Sequence, residues 1–169
     1  IGQAGLAVSP RRPTIAVWSR RLSAGHWSRP TDIHIRNCVI HGAVRVCSMG
    51  ADGGSDDLRA SSRTATHTAT AQAAAPSHVE LDRVTIIGTG SIPLYVGPGV
   101  TQLSLMNSTL SGRSVATALY LDAESADNRI ANNTLAVQTD REMIAVDGST
   151  RNHIVHNHFT LGGRPGVFL

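Results

Sequence analysis

There is no lysine in this chain: all 15 basic residues are arginine, set against 12 acidic residues and 8 histidines in 169 residues. The formal surplus of +3 is too small to point to a nucleic-acid partner. Aromatic residues make up only 4% of the chain, which excludes a core built on large rings and leaves the packing to small and β-branched side chains. Two cysteines, Cys38 and Cys47, are too few for a disulfide framework or a four-thiolate zinc site. No apolar run approaches the roughly 20 residues of a membrane-spanning helix, so no membrane span is expected. The opening IGQAGLAVSPRRP lacks both an initiator Met and the charged-then-apolar layout of a signal peptide, and suggests a mature form or a fragment. What remains is 41% hydrophobic with 16 glycines, a composition and length that suit one folded domain. Its charge is uneven: residues 1–47 carry seven arginines and one aspartate, whereas 64–169 carry six arginines and eight acids.

Repetition organises the chain. The stretches LSLMNSTL (103–110), NRIANNTL (128–135) and NHIVHNHF (152–159) align at offsets of 25 and 24 residues, and VELDRVTIIG and IHIRNCVIHG fit the same frame. A further strand-like element recurs as LYV (94–96), LYL (119–121) and IAV (144–146) at steps of 25, with VFL (167–169) following at about the same interval. Apolar residues alternate with polar ones at the period of a strand with one buried face, and the small polar or Asn residue between pairs marks a bend. One such lap cannot bury its own inward side chains, so laps must stack at about 4.8 Å into a β-solenoid with columns of like residues. Ile35, Leu81, Leu105, Ile130 and Ile154 are expected to form one inner column, and Ile40, Ile86, Leu110, Leu135 and Phe159 another. The bend column Cys38, Val84, Ser108, Asn133, Asn157 ends in a short Asn ladder.

In these coils the chain resembles the right-handed parallel β-helix proteins of the pectate-lyase-like superfamily, especially bacterial members with NxIxxNxF-type coils. The resemblance covers roughly residues 31–169 and implies an all-β fold, a right-handed parallel β-helix of about five to six coils of 24–25 residues. It also implies a secreted or cell-envelope (periplasmic) setting and a polysaccharide partner. The superfamily contains lyases, hydrolases, epimerases, tailspikes and adhesins, so the resemblance names a fold more sharply than a reaction. This chain has no DPHD-type motif of mannuronan epimerases, no paired Asp-Asp of polygalacturonases and no dense Asp cluster of calcium lyases. Residues 1–30 are expected to form an irregular N-terminal coil or cap on the β-helix of 31–169. The polar segment 48–77 reads as a loop insertion in that β-helix, a plain excursion or a flap beside a binding face. Because VFL falls mid-lap, more chain beyond Leu169, a homo-oligomer, or another covering partner is expected at that end.

Asp122 and Asp147 follow corresponding strands 25 residues apart, hence on adjacent coils, with Glu124 two residues past Asp122. Carboxylates that close suit Ca²⁺ binding or acid/base catalysis on a sugar, or they simply end strands by accepting turn amides. Arg113, Arg141 and Arg164 fall on the way into the LYL-type strands, as a row for uronate or sulfate groups or as solvated corner residues. Arg141 is the candidate for substrate carboxylate binding or proton abstraction. Tyr95 and Tyr120, at the centres of LYV and LYL, face outward on adjacent coils, as a sugar platform or as cross-strand packing. The histidines of NHIVHNHF diverge too much for zinc, and no metal ligand is assigned. The functional expectation is a polysaccharide-binding or polysaccharide-degrading β-helix, a lyase or hydrolase acting on acidic glycans. Its rival is a non-catalytic adhesin-like or tailspike-like module that binds glycans or oligomerises.

Overall fold

A computed structural model describes residues 12–49, 55–160 and 166–169. The chain enters through Ile15–Trp18 (β1) and a small antiparallel hairpin of Arg21–Ser23 (β2) and His26–Trp27 (β3). The first complete lap comprises Thr31–Arg36 (β4), Val39–His41 (β5) and Val44–Cys47 (β6). Two helices follow, Asp56–Ser61 (α1) and His67–Ala74 (α2). The second lap is Ser77–Asp82 (β7), Thr85–Gly90 (β8) and Leu94–Val96 (β9), and the third Ser104–Met106 (β10), Thr109–Ser114 (β11) and Leu119–Leu121 (β12). The fourth is Arg129–Ala131 (β13), Thr134–Gln138 (β14) and Ile144–Val146 (β15), and the fifth His153–Val155 (β16), His158–Phe159 (β17) and Val167–Phe168 (β18). Corresponding strands pair in parallel to form three sheets. The first is β4-β7-β10-β13-β16, the second β5-β8-β11-β14-β17 and the third β1-β6-β9-β12-β15-β18. The molecule is a parallel β-solenoid of about six turns with little helix, as the repeat requires.

The inner columns explain why the laps stack. Ile35, Leu81, Leu105, Ile130 and Ile154 are successive register partners in the first sheet. Ile40, Ile86, Leu110, Leu135 and Phe159 do the same in the second. Val44, Leu94, Leu119 and Ile144 line the third, all fully buried. Each fully buried Leu or Ile contributes about 1.5–3 kcal/mol of hydrophobic stabilisation, so a lap with three such residues holds its place only when its neighbours cover it.

The bends on either side of the first sheet use left-handed backbone without glycine. Asn37, Arg83, Asn107, Asn132 and His156 form one such column, and Asp32, His78, Gln102, Asp127 and Arg151 the other, all with φ between 51° and 59°. Their amides still bond to the next lap, as in Asn107 N–H to Ala131 O at 3.2 Å, so inter-lap hydrogen bonding continues around the corner. Behind one bend runs the Asn ladder. Asn133 Oδ1 accepts from Ser108 N at 2.9 Å, and Asn157 Oδ1 accepts from Asn133 N at 3.0 Å. A second ladder stands at the other bend, where Asn128 Oδ1 accepts from Leu103 N at 3.0 Å and Asn152 Oδ1 accepts from Asn128 Nδ2 at 3.0 Å.

The segment expected as a loop carries α1 and α2, and it is anchored to the solenoid. Ser55 caps α1, its hydroxyl accepting from Leu58 N, and Trp27 Nε1 donates to Asp57 at 2.9 Å. Leu58, Ala71, Ala74 and Met49 form a small separate cluster with Trp27 against it. Helix α2 lies on Gly99, where a Cβ would collide with the Ala71 carbonyl group. Ser19 Oγ donates to Ala74 O and Gln72 Nε2 donates to Glu124 O, so this one helix touches three turns.

Candidate functional site

The sheets place the expected site residues on two surfaces that do not merge. On the outside of the third sheet, Arg45, Tyr95, Tyr120 and Ala145 are register partners. The two tyrosine rings stack on each other, centroids 5.8 Å apart and planes at 22°, and the Arg45 guanidinium lies 4.7 Å over the free face of Tyr95. Their faces are therefore turned along the solenoid axis and largely used by one another, which leaves only Tyr120 a ring face for anything else.

Each tyrosine also has its own carboxylate. Tyr95 Oη donates to Asp122 Oδ2 and Tyr120 Oη donates to Asp147 Oδ2, each reaching one lap onward. Asp122 Oδ1 in addition accepts from Ala123 N at 2.8 Å, the turn role of an Asp that ends a strand. Burial first, then the charge of Asp122 and the hydrogen bond to it, drive the Tyr95 pKa far above that of an ordinary phenol. Tyr120 shifts the same way, through burial, its bond to Asp147 and the surrounding charges of Asp122, Asp147 and Glu142. Both hydroxyls are thus fixed as protonated donors. Glu124 turns to the helices instead, its Oε2 accepting from Thr68 Oγ1. With separate donors on all three carboxylates, Asp122, Glu124 and Asp147 do not fit a shared Ca²⁺. Among the described residues no group of three His, Cys, Asp or Glu side chains is arranged to hold a metal ion.

The arginines lie elsewhere. Arg113 is an outward residue of β11 in the second sheet, paired in register with Thr89 and Gln138. Arg141 stands exposed in the turn from β14 to β15, its backbone N–H donating to Thr139 Oγ1 at 3.1 Å. A whole third-sheet strand separates these positions from the aspartates that follow it. Arg164 falls outside the described residues.

Around Arg113 the outer face of the second sheet is hollowed. Two depressions of about 670 and 440 Å³ adjoin there and share Arg113, Ala136 and Gln138. Together they reach from His41 and Ile87 to Asp140 and Thr160, from the first lap to the fifth. At about 4.8 Å per lap this trough runs roughly 19 Å along the axis. Its floor follows from two stacked glycines: Gly112, at φ +81°, presses on Gly88, where a Cβ would sit 2.7 Å from Arg113 O and 2.8 Å from Pro93 Cγ. On those two laps the layer holds no side chain, the buried Val137 fills it on the next, and the neighbouring Arg113 and Gln138 stand exposed on the outer side. The Thr89 hydroxyl is buried in the wall without a hydrogen-bond partner among the described residues. His41, Thr89, Gln138 and Asp140 were not expected here. The one signal for them is the glycine pair of TIIGTG and TLSGRS at matching repeat positions.

The third depression, about 380 Å³, is the last lap's inner face between Val146, Ile154 and Val167, and the fourth lies on the first sheet beside His34 and Glu80. Among the described residues no helix is long and apolar enough to cross a membrane.

The geometry can be set beside known proteins. Nothing matches: the chain finds no counterpart among family models, curated proteins or solved structures.

Proposed function

We propose that this solenoid is a non-catalytic module that binds an extended acidic polysaccharide lengthwise in the trough of the second sheet. The observation that carries the reading is the trough itself, five laps long, open and polar at the rim, with Arg113 at the point where its two hollows meet. A linear glycan advances by roughly one sugar per lap of about 4.8 Å, so successive sugars meet successive laps. The exposed Gln138 amide supplies a neutral contact. Arg113 offers a bidentate clamp for a uronate carboxylate or a sulfate. Membership of the pectate-lyase-like superfamily, with its right-handed coil and secreted setting, belongs to the same reading. Catalysis is not part of it: Asp122 and Asp147, the acid/base candidates, lie outside the trough and each holds a tyrosine hydroxyl.

Isothermal titration against polygalacturonate, alginate and neutral amylose tests this, with ultraviolet absorbance followed for unsaturated product. Binding of the acidic polymers, little of amylose and no absorbance rise are expected. Arg113→Ala should weaken the acidic polymers by about tenfold to a hundredfold, the worth of one charge-assisted contact. Folded protein that binds none of them, or an Arg113→Ala variant that binds like the parent, overturns the site. Unsaturated product overturns the non-catalytic reading.

A further inference from the structure

Arg113 is not the only unpaired charge in the trough. Asp140, just past β14, lines the larger hollow with it, exposed, and among the described residues neither side chain has an ion-pair or hydrogen-bond partner. Asp140 lies one lap beyond Arg113 and two residues past Gln138, the register partner of Arg113. A chain of sugars lying along the axis therefore crosses a cationic position and then an anionic one on the neighbouring lap.

A uniformly anionic polymer satisfies the first and meets a like charge at the second, which weakens its binding without abolishing it. Arg141, next in sequence, does not line the hollow. From this juxtaposition we propose that the trough selects a polysaccharide whose repeat carries both an anionic group and a free amine. Its carboxylate sits at Arg113 and its ammonium at Asp140. The inference rests on the reading of the trough as a glycan site and adds the class of glycan.

The test is titration of the full chain with three polymers at about pH 5.5, where hexosamine amines are protonated and uronates ionised. They are hyaluronan, which carries carboxylates and acetylated nitrogens; de-N-acetylated hyaluronan, which carries carboxylates and free amines; and chitosan, which carries amines alone. De-N-acetylated hyaluronan is expected to bind about tenfold more tightly than either of the others, in line with one added charge-assisted contact. Asp140→Asn should bring it to within about twofold of hyaluronan, and Asp140→Glu should restore most of the preference. Equal binding of the two hyaluronan forms, or a preference that survives Asp140→Asn, overturns the inference while the anionic-glycan site stands. Absence of binding to all three polymers and to polygalacturonate overturns the site and the inference together.

Discussion

Asn133 donates its side-chain amide to Oδ1 of Asn157 at 3.0 Å, 24 residues further along the chain and one turn up the solenoid. The same amide donates to Leu105 O at 2.9 Å, and Asn133 Oδ1 accepts from Ser108 N. One nearly buried side chain thus ties three successive turns at a bend.

Asn133→Ala strands a buried amide and a buried carbonyl and should cost about 2–3 kcal/mol, which is roughly 4–12 °C in Tm for a chain of this size. Urea melts measure it. The exposed neighbour Asn132, at φ +59°, is the control. Asn132→Gly should stay within about 0.5 kcal/mol, since glycine adopts that backbone freely. Equal losses at the two sites would show that the ladder contributes nothing.

The two tyrosines govern the alkaline limb of stability. Their pKa values are raised in the folded chain, so their contribution is present in full below the unfolded value of about 10. As pH climbs beyond that value the unfolded chain loses its phenolic protons first, and the contribution is lost on the way up to the folded pKa. For the more buried Tyr95 the slope reaches about 1.4 kcal/mol per pH unit. No lysine titrates in the same range to obscure it. Tyr95→Phe should flatten this limb, and tyrosinate absorbance should rise only with unfolding. A folded chain whose Tyr95 ionises at an ordinary pH refutes the account.

Gly112 and Gly90 both have positive φ, at +81° and +124°, but differ in space. A Cβ at Gly112 falls on the Gly88 carbonyl, whereas one at Gly90 meets nothing within 4 Å. Gly90→Ala reports backbone strain alone, about 1–3 kcal/mol. Gly112→Ala should lose at least about 1 kcal/mol more, because backbone cannot move aside as a flexible side chain does. Denaturant midpoints of the two variants decide it, and a Gly112→Ala no worse than Gly90→Ala would mean the trough floor is not tightly packed.

Gly99→Ala is expected to lift α2, since the new methyl would occupy the space of the Ala71 carbonyl. Trypsin, limited in this chain to arginines, should then cut faster at Arg59 in α1 and at Arg63 between the helices. Gly25→Ala, where nothing lies within 4 Å, should leave those sites as they were. Unchanged cutting in Gly99→Ala would mean that α2 does not depend on this contact.

The core of this fold was legible because stacking converts a period in the sequence into contact: Leu105, Ile130 and Ile154 occur at one interval and meet in one column. The ladder through Asn133 and Asn157 followed from the same alignment. Its counterpart through Asn128 and Asn152 was not read, because Ile33, Val79 and Leu103 precede the two amides in that column and give it the look of an apolar core position. Of the insertion's helices only a turn at AQAAA could be suspected from the sequence, for another reason. TATHTATAQAAA has no apolar stripe, so α2 owes its place to Gly99 and Glu124 and not to its own pattern. The Ser-Asp-Asp start of α1 was a cap signal in plain view. Tyr95, Tyr120 and the two aspartates were rightly placed on adjacent turns. Their alternatives separated only with coordinates, because alternation says which side of a sheet a ring leaves from and not which way its plane is turned. The trough was invisible for a related reason: it is made by what two glycines omit.

Helix α2 leaves the stack after the first turn, yet its Ser19, Gly99 and Glu124 contacts fall on the strand before it and on the two turns after it. It works as a splint. In a stack whose layers otherwise speak only to their nearest neighbours, such a brace removes the freedom to peel one layer at a time at that end. Amide exchange should therefore show the entry half opening as a single block and the far turns fraying one by one, a rod stiff at one end and loose at the other.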